Sequence, residues 1–218
     1  MGPDVARRTD TNRFQELHQQ LRDAIIEGRF RPNERLVEAD LAELLNVSRT
    51  PIRECLQRLV AEGLVTRVRR GWVVHEHTPE EIGEIYDVRA GLEGWAVRLG
   101  ALRATDEELE TIREVHNEAA RLEVGELRDR VVELNKSFHD HVLATCRNNR
   151  LLSLIQQSRE YYFNTRLARA YTDDELLASI QGQQEIVDAM LARDPDRTER
   201  LMREHIEEAR DAILSKPM

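Results

Sequence analysis

The sequence predicts a mainly α-helical chain, in which an N-terminal winged helix-turn-helix with a small β-hairpin wing precedes an all-α antiparallel helical bundle. Apolar residues recur at helical spacing over most of the chain. Two short valine-rich runs between residues 64 and 74 have the character of strands. From Pro79 onward the helical pattern is interrupted only by short turn signals, so we place the two domains at residues 1–77 and 78–218.

Length and composition fit two globular domains. Of the 218 residues, 40% are hydrophobic and 33% are charged. No apolar run approaches the ~18 residues of a membrane span, and the N-terminus lacks the apolar core of a secretory signal. We therefore expect a cytoplasmic protein, in which Cys55 and Cys146 are reduced because neither has metal-ligand or redox spacing.

Charge is distributed unevenly along the chain. The net charge is −9, yet residues 1–76 hold 13 arginines against 12 acidic residues, so the acidic excess lies in the remainder. Residues 49–70 contain six arginines against Glu54 and Glu62. This local basic patch is sufficient for contacts with DNA phosphates, because salt screens the acidic half beyond ~8 Å.

Three helices are predicted in the first 63 residues. Gly28 ends the first, and the second ends at Asn46 and Val47, a connection typical of a helix-turn-helix. The third begins in the stretch from Ser48 to Pro51, where Ser48 or Thr50 is expected to cap it, and Gly63 ends it. The apolar stripes of the three helices are Phe14, Leu17, Leu21 and Ile25; Val37, Leu41 and Leu44 or Leu45; and Ile52, Leu56 and Leu59.

The polar side of the third helix and the hairpin that follows it are rich in arginine. Residues 64–68 and 72–74 are predicted to be strands, joined by a turn of arginines and a glycine. A glycine there allows close approach to a DNA backbone because it has no Cβ, and a recognition helix presents its first turns to the major groove. The predicted DNA-binding residues are Ser48, Arg49, Thr50, Arg53, Arg70 and Gly71.

Any one of these arginines alone is more simply explained as a solvated charge or as one partner of an ion pair. Their combination with a helix-turn-helix and a hairpin favours DNA binding. The stretch also resembles the winged helix of the GntR superfamily, through PNERLVE at 32–38, LAE at 41–43, VSRTPIRE at 47–54 and EGLV at 62–65. The resemblance implies that Arg49 and Arg53 contact operator bases and phosphates, that Thr50 contacts a phosphate, and that Arg70 with Gly71 inserts from the wing.

Two positions depart from the pattern of that family. Asn33 replaces the usual glycine of a Pro-Gly turn, which is a mild change because asparagine also tolerates left-handed backbone geometry. Ala39 stands where the family often carries an arginine, which removes one expected DNA contact.

About six helices are predicted in the second domain, with breaks near residues 104–105, 124–125, 148–149, 171–172 and 194–195. Polar residues lie on or beside the apolar stripes of several of them. Each alone is more simply a hydrogen-bonded core residue, but together they predict a chamber for a small carboxylate, with Arg89 as its bidentate charge partner. The predicted effector-binding residues are Arg89, Asn135, His139, Tyr162, Arg166, Gln183 and His205.

The second domain resembles the FCD ligand-binding domain of the FadR subfamily, through YDVR at 86–89, LE at 92–93, FH at 138–139 and MREHI at 202–206. In relatives with a metal, an Asp or Asn and a His four residues later join two further His around a divalent ion. Asn135, His139 and His205 match those positions, but Gln183 stands where the middle His is expected. An amide is a weaker ligand than imidazole, so direct effector binding is favoured, and zinc or nickel on His139, His205 and Asn135 is the alternative.

The sequence therefore predicts a transcription regulator that binds a pseudo-palindromic operator as a homodimer and responds to an organic acid. Of the two directions of regulation, we expect repression. No enzymatic activity is expected, because the sequence contains neither a Gly-rich phosphate loop nor a nucleophile elbow. Two alternatives stay open at this point. One is a metal-dependent enzyme that uses His139 and His205, and the other is a helical scaffold without a ligand.

Overall fold

The computed structural model describes residues 3–159 and 171–216. The chain divides into two compact units, residues 1–77 and 78–218. None of the helices in this described part of the chain is long and apolar enough to cross a membrane.

The N-terminal unit combines three helices with a small sheet. The helices are α1 (Pro3–Ile26), α2 (Glu38–Leu44) and α3 (Arg49–Ala61), and the strands are β1 (Arg35–Leu36), β2 (Val65–Val68) and β3 (Gly71–Val74). The strands form an antiparallel sheet in the order β1-β3-β2. The fold class is the predicted one, with β1 as an addition, because a two-residue strand is too short to show a periodic pattern.

The core of this unit confirms most of the predicted stripes. Leu17, Leu21 and Ile25 of α1 are buried, and so are Ile52, Leu56 and Leu59 of α3. The second helix differs, because Leu41 and Ala42 form its buried side and Leu44 is exposed. Backbone angles with positive φ at Asn33, Asn46 and Gly63 make the predicted turns.

In its described residues, 78–159 and 171–216, the C-terminal unit is built from helices. They are α4 (Pro79–Arg103), α5 (Asp106–Ala120), α6 (Val124–Ala144), α7 (Asn149–Arg159), α8 (Asp173–Leu191) and α9 (Pro195–Leu214). Thr78, Thr105 and Thr172 begin α4, α5 and α8 with capping boxes, in which the threonine hydroxyl and a glutamate three residues later satisfy free backbone amides. The break predicted near residues 124–125 lies at residues 121–123, and α6 begins at Val124.

Two apolar clusters stabilise this bundle. The larger brings Ile82 and Tyr86 of α4 together with Phe138 of α6, Ile186 of α8 and Met202 of α9. The smaller consists of Ala119, Leu127, Val131, Leu134 and Leu176. Helix α4 packs against α9 and also contacts α6, α7 and α8, so its side chains reach the interior of the bundle on several sides.

Candidate functional site

The first turns of α3 present cationic and polar side chains to solvent. Arg49, Thr50 and Arg53 are exposed, while Ile52 and Leu56 on the opposite side of the helix are buried. Ser48 takes the extended N-cap conformation, but within the described residues its hydroxyl makes no capping hydrogen bond. Of the two predicted capping residues, Ser48 takes the N-cap position without the expected hydrogen bond, and Thr50 lies inside the helix.

Arg53 is held by a carboxylate from α2. Its Nε atom lies 3.0 Å from Oε1 of Glu38, and its Nη2 atom lies 2.7 Å from Oε2. The buried indole of Trp72 on β3 donates to the same Oε1 atom at 3.1 Å. Because Arg53 donates hydrogen bonds to it, the pKa of Glu38 is below its ordinary value.

The wing is a short hairpin with a basic tip. Val68 pairs with Gly71, and the exposed Arg69 and Arg70 form the turn between them. Gly71 has a φ of 114°, which a residue with a side chain rarely adopts. Arg35 on β1 donates from Nη2 to the backbone carbonyl of Arg70 at 2.7 Å, which fixes the position of the tip.

In the C-terminal unit, α4 and α6 bury a chain of charged and polar groups. Nε of Arg89 donates to Oε1 of Glu93 at 3.0 Å, and Nδ1 of His139 lies 2.9 Å from Oε2 of the same carboxylate. Glu93 is 0% exposed. The guanidinium of Arg89 also lies over the ring of Tyr86, 4.7 Å from its centroid.

The other predicted chamber residues meet beside this chain. The rings of His139 and His205 have centroids 5.6 Å apart. Nε2 of Gln183 on α8 donates to Oδ1 of Asn135 on α6 at 2.9 Å, and Asn135 is one helical turn before His139. Five predicted effector residues are therefore brought to one region of the bundle. Tyr162 and Arg166, which were also predicted, lie outside the described residues.

Sequence reasoning missed two residues of this region. Glu93 connects Arg89 to His139. The sequence feature that could have identified Glu93 is its position four residues after Arg89, which places both on the same inward side of α4. Arg159 at the end of α7 lies with Nε 3.7 Å from Oε1 of Glu93 and Nη1 3.1 Å from Oδ1 of Asp140. No periodic pattern predicted a role for Arg159, because Arg159 comes close to Glu93 only through the packing of α7 on α4.

The charges of the chamber are set by burial and by these contacts. Burial alone would raise the pKa of Glu93, but Arg89, His139 and Arg159 together keep that pKa below its ordinary value. Burial, followed by the charge of Arg159, lowers the pKa of His139. Burial, followed by His139, lowers the pKa of His205 to about 3. At neutral pH this region therefore holds the anionic carboxylate of Glu93, the guanidinium of Arg89 and two neutral imidazoles, each with one donor and one acceptor nitrogen.

The donor set does not fit a zinc or nickel ion. Oδ1 of Asn135, the atom that would bind the metal, already accepts a hydrogen bond from Gln183. Among the side chains that the structure describes, no group of three or more His, Cys, Asp or Glu is placed to hold a metal ion. Two imidazoles and two paired neutral amides lack the anionic ligand or third imidazole that such ions prefer.

Comparison with known proteins decides the family. Residues 14–74 match the bacterial regulatory proteins of the gntR family, and residues 84–208 match the FCD domain. The chain belongs to the GntR family of transcription regulators. This confirms the recognition of both halves of the sequence, and with it the prediction of a DNA-binding regulator that carries an effector domain.

Individual relatives of this GntR regulator agree over most of their length. The Nta operon transcriptional regulator of Aminobacter aminovorans is 32% identical over 85% of this chain and 87% of that protein. The HTH-type transcriptional repressor GlaR of Escherichia coli is 31% identical over 85% of this chain and 89% of that protein. A solved GntR regulator from Rhodococcus sp. RHA1 superposes with a TM-score of 0.73 and 27% identity, covering 95% of this chain and 100% of that chain.

Proposed function

We propose that this GntR regulator represses transcription in the cytoplasm by binding an operator as a homodimer, and that a small organic acid in the C-terminal unit modulates this binding. The observation that carries the proposal is the exposed row of Arg49, Thr50 and Arg53 on α3, beside the basic wing tip. A relative similar over most of the chain is named as a repressor, which supports the direction of regulation.

DNA binding is tested by titrating the full chain against duplexes from the promoters of its own and neighbouring genes. We expect a specific Kd of ~10⁻⁸ to 10⁻¹¹ M at physiological salt. The Kd should rise steeply with salt, because the arginines displace counterions from phosphates. Arg49→Ala should weaken binding by roughly 5- to 150-fold.

The matched control is Arg58→Ala. Arg58 is on the same helix, but it pairs with Glu62 four residues later, so its loss should leave the Kd unchanged within about threefold. Failure of the wild-type chain to bind any promoter duplex at low salt, with and without organic acids, would contradict the proposed function.

The homodimer is supported by an apolar stripe on the outer side of α4. Val88, Trp95 and Leu102 are 53%, 49% and 61% exposed. They are spaced by seven residues and so lie on one face of the helix. Val88 and Leu102 are each seven residues from Trp95. If two copies of α4 pair antiparallel about Trp95, Val88 of one copy contacts Leu102 of the other, as a two-fold interface requires.

We expect Trp95→Glu to convert the dimer into a monomer, because it places a charge at the centre of that interface. Molar mass measured by light scattering over a dilution series checks this, and we expect a dimer Kd at least ~100-fold weaker, in line with the loss of a central aromatic anchor. Leu177→Glu is the control, since Leu177 is a comparably exposed leucine on α8. A Trp95→Glu variant that is still dimeric at low concentration would exclude this surface.

For the effector, the two arginines of this region favour an anion. Arg89 pairs with the buried Glu93, and Arg159 lies between Glu93 and the exposed Asp140, so the positive charge of these guanidinium groups would attract a carboxylate. The neutral His139 and His205 supply hydrogen bonds for its polar atoms. We propose binding without a metal and without turnover, because Arg89 stabilises the ionised form of Glu93 and so disfavours a role in proton transfer.

A further inference from the structure

Glu38 at the start of α2 contacts both elements that face DNA in the proposed function. Its two carboxylate oxygens accept side by side from Nε and Nη2 of Arg53 on α3, at 3.0 and 2.7 Å, and Nε is also 3.2 Å from the second oxygen. A further hydrogen bond comes from Trp72 of the wing strand β3, at 3.1 Å. Trp72 is buried, so its indole fixes the carboxylate, and the carboxylate in turn fixes the guanidinium.

Counting donors shows which part of Arg53 is left to read DNA. A guanidinium carries five N–H donors in a rigid plane. Glu38 takes the edge formed by Nε and one hydrogen of Nη2. The remaining donors lie at the end of the group, where one hydrogen of Nη1 and one of Nη2 are parallel. This end matches two adjacent acceptors, the arrangement that O6 and N7 of guanine present in the major groove.

Fixing the orientation of the Arg53 guanidinium favours a contact with a base more than a contact with a phosphate. Phosphate oxygens accept hydrogen bonds over a wide range of directions, and a carboxylate beside Arg53 weakens the attraction to the DNA backbone. A guanine edge, in contrast, accepts two bonds only from a donor pair held in its plane. Glu38 therefore lowers general attraction to DNA while it improves the geometry for one base.

We propose that Glu38 is a positioning residue for sequence specificity, which orients Arg53 so that the end of its guanidinium reads a guanine in each operator half-site. This inference rests on the DNA-binding function proposed above and adds to it the base and the residue that orients its reader.

The test starts from a pool of random duplexes, from which the wild-type chain selects its site. Binding is then measured to the selected site, to duplexes with each symmetric guanine replaced by adenine or by 7-deazaguanine, and to an unrelated duplex. For the wild type we expect one guanine whose replacement weakens binding ~10- to 100-fold. For Glu38→Ala we expect this discrimination to fall below about threefold, with binding to the unrelated duplex unchanged or tighter.

Three further variants separate positioning from folding. Arg53→Ala should lose the same discrimination, and the double variant should lose no more than either single one, because both act through one contact. Glu38→Gln keeps one acceptor for Nη2 and should retain part of the discrimination. Glu43→Ala removes the same charge from an exposed position of α2 and should retain all of it. Circular dichroism verifies the fold of each variant.

If the folded Glu38→Ala variant discriminates guanine as fully as the wild type does, Glu38 has no positioning role. Should Glu38→Ala not fold, full discrimination by Glu38→Gln has the same meaning. Either result would leave the DNA-binding function standing. The role of Glu38 is overturned in the same way if 7-deazaguanine has no effect on the wild type. A merely structural role would weaken binding to the selected and unrelated duplexes equally. Failure of the wild-type chain to select any site would instead remove the DNA-binding function itself, so the two failures are distinguishable.

Discussion

Glu93→Gln is expected to lower the free energy of unfolding of the C-terminal unit by ~3–5 kcal/mol, because the variant removes the carboxylate that compensates the buried charge of Arg89. The ion pair is 8% and 0% exposed at its two side chains, so solvent does little to screen the remaining charge. Arg159 lies close enough to Glu93 to add repulsion once the carboxylate is gone. Denaturant unfolding at fixed protein concentration measures the change, and Tm should fall by about 10 °C.

Two controls isolate the cause of this loss. Arg89→Met combined with Glu93→Gln removes both charges and keeps an acceptor for His139, so most of the lost stability should return. Glu204→Gln breaks an ion pair of the same i, i+4 geometry with Arg200, but on the exposed side of α9, and should cost under about 0.5 kcal/mol. Equal effects of Glu93→Gln and Glu204→Gln would show that burial of the pair has no energetic consequence.

Gln183→His is expected to create a zinc site in the C-terminal unit. The third imidazole would join His139 and His205 and would release Oδ1 of Asn135 from its hydrogen bond with Gln183. Glu93 already holds Nδ1 of His139, which is the contact that orients a metal-binding imidazole and leaves Nε2 for the ion. We expect zinc affinity to increase by about 100-fold or more over the wild type.

Competition with a chromophoric chelator measures this affinity, and elemental analysis gives the zinc content. Zinc at ~100 times its Kd should also stabilise the variant by ~2.7 kcal/mol. Gln181→His adds an imidazole at an exposed position of the same helix and should change neither quantity. Equal zinc affinity in the wild type would mean that the amide pair of Asn135 and Gln183 does not exclude the ion.

Periodic patterns predicted the fold because they report burial directly. The stripe of Val131, Leu134, Phe138 and Val142 is buried as its spacing requires. Features outside this rule were missed. Leu44 is exposed because α2 ends there, and β1 exists only through pairing with β3, a partner more than thirty residues away. Neither outcome can be read from local spacing.

The candidate sites show the same division. The exposure of Arg49 and Arg53 follows from the buried positions beside them on α3. The partners of the polar residues did not follow, because a hydrogen bond depends on which helices pack together. Glu93 was not among the predicted effector-binding residues, because an acidic residue is rarely buried without a partner. The hydrogen bond between Gln183 and Asn135 joins α8 to α6 across the bundle, which local spacing does not reveal.

Helix α4 has neighbouring residues with opposite surroundings. Val88 faces solvent on the outer stripe, while Arg89, the next residue, is buried beside Glu93. One continuous helix therefore joins the proposed effector site to the proposed dimer interface, with no loop between them. An anion that pulls Arg89 inward would roll this helix about its long axis and turn its outer side against the second copy. Effector occupancy would then be communicated as a change in how the two subunits are angled.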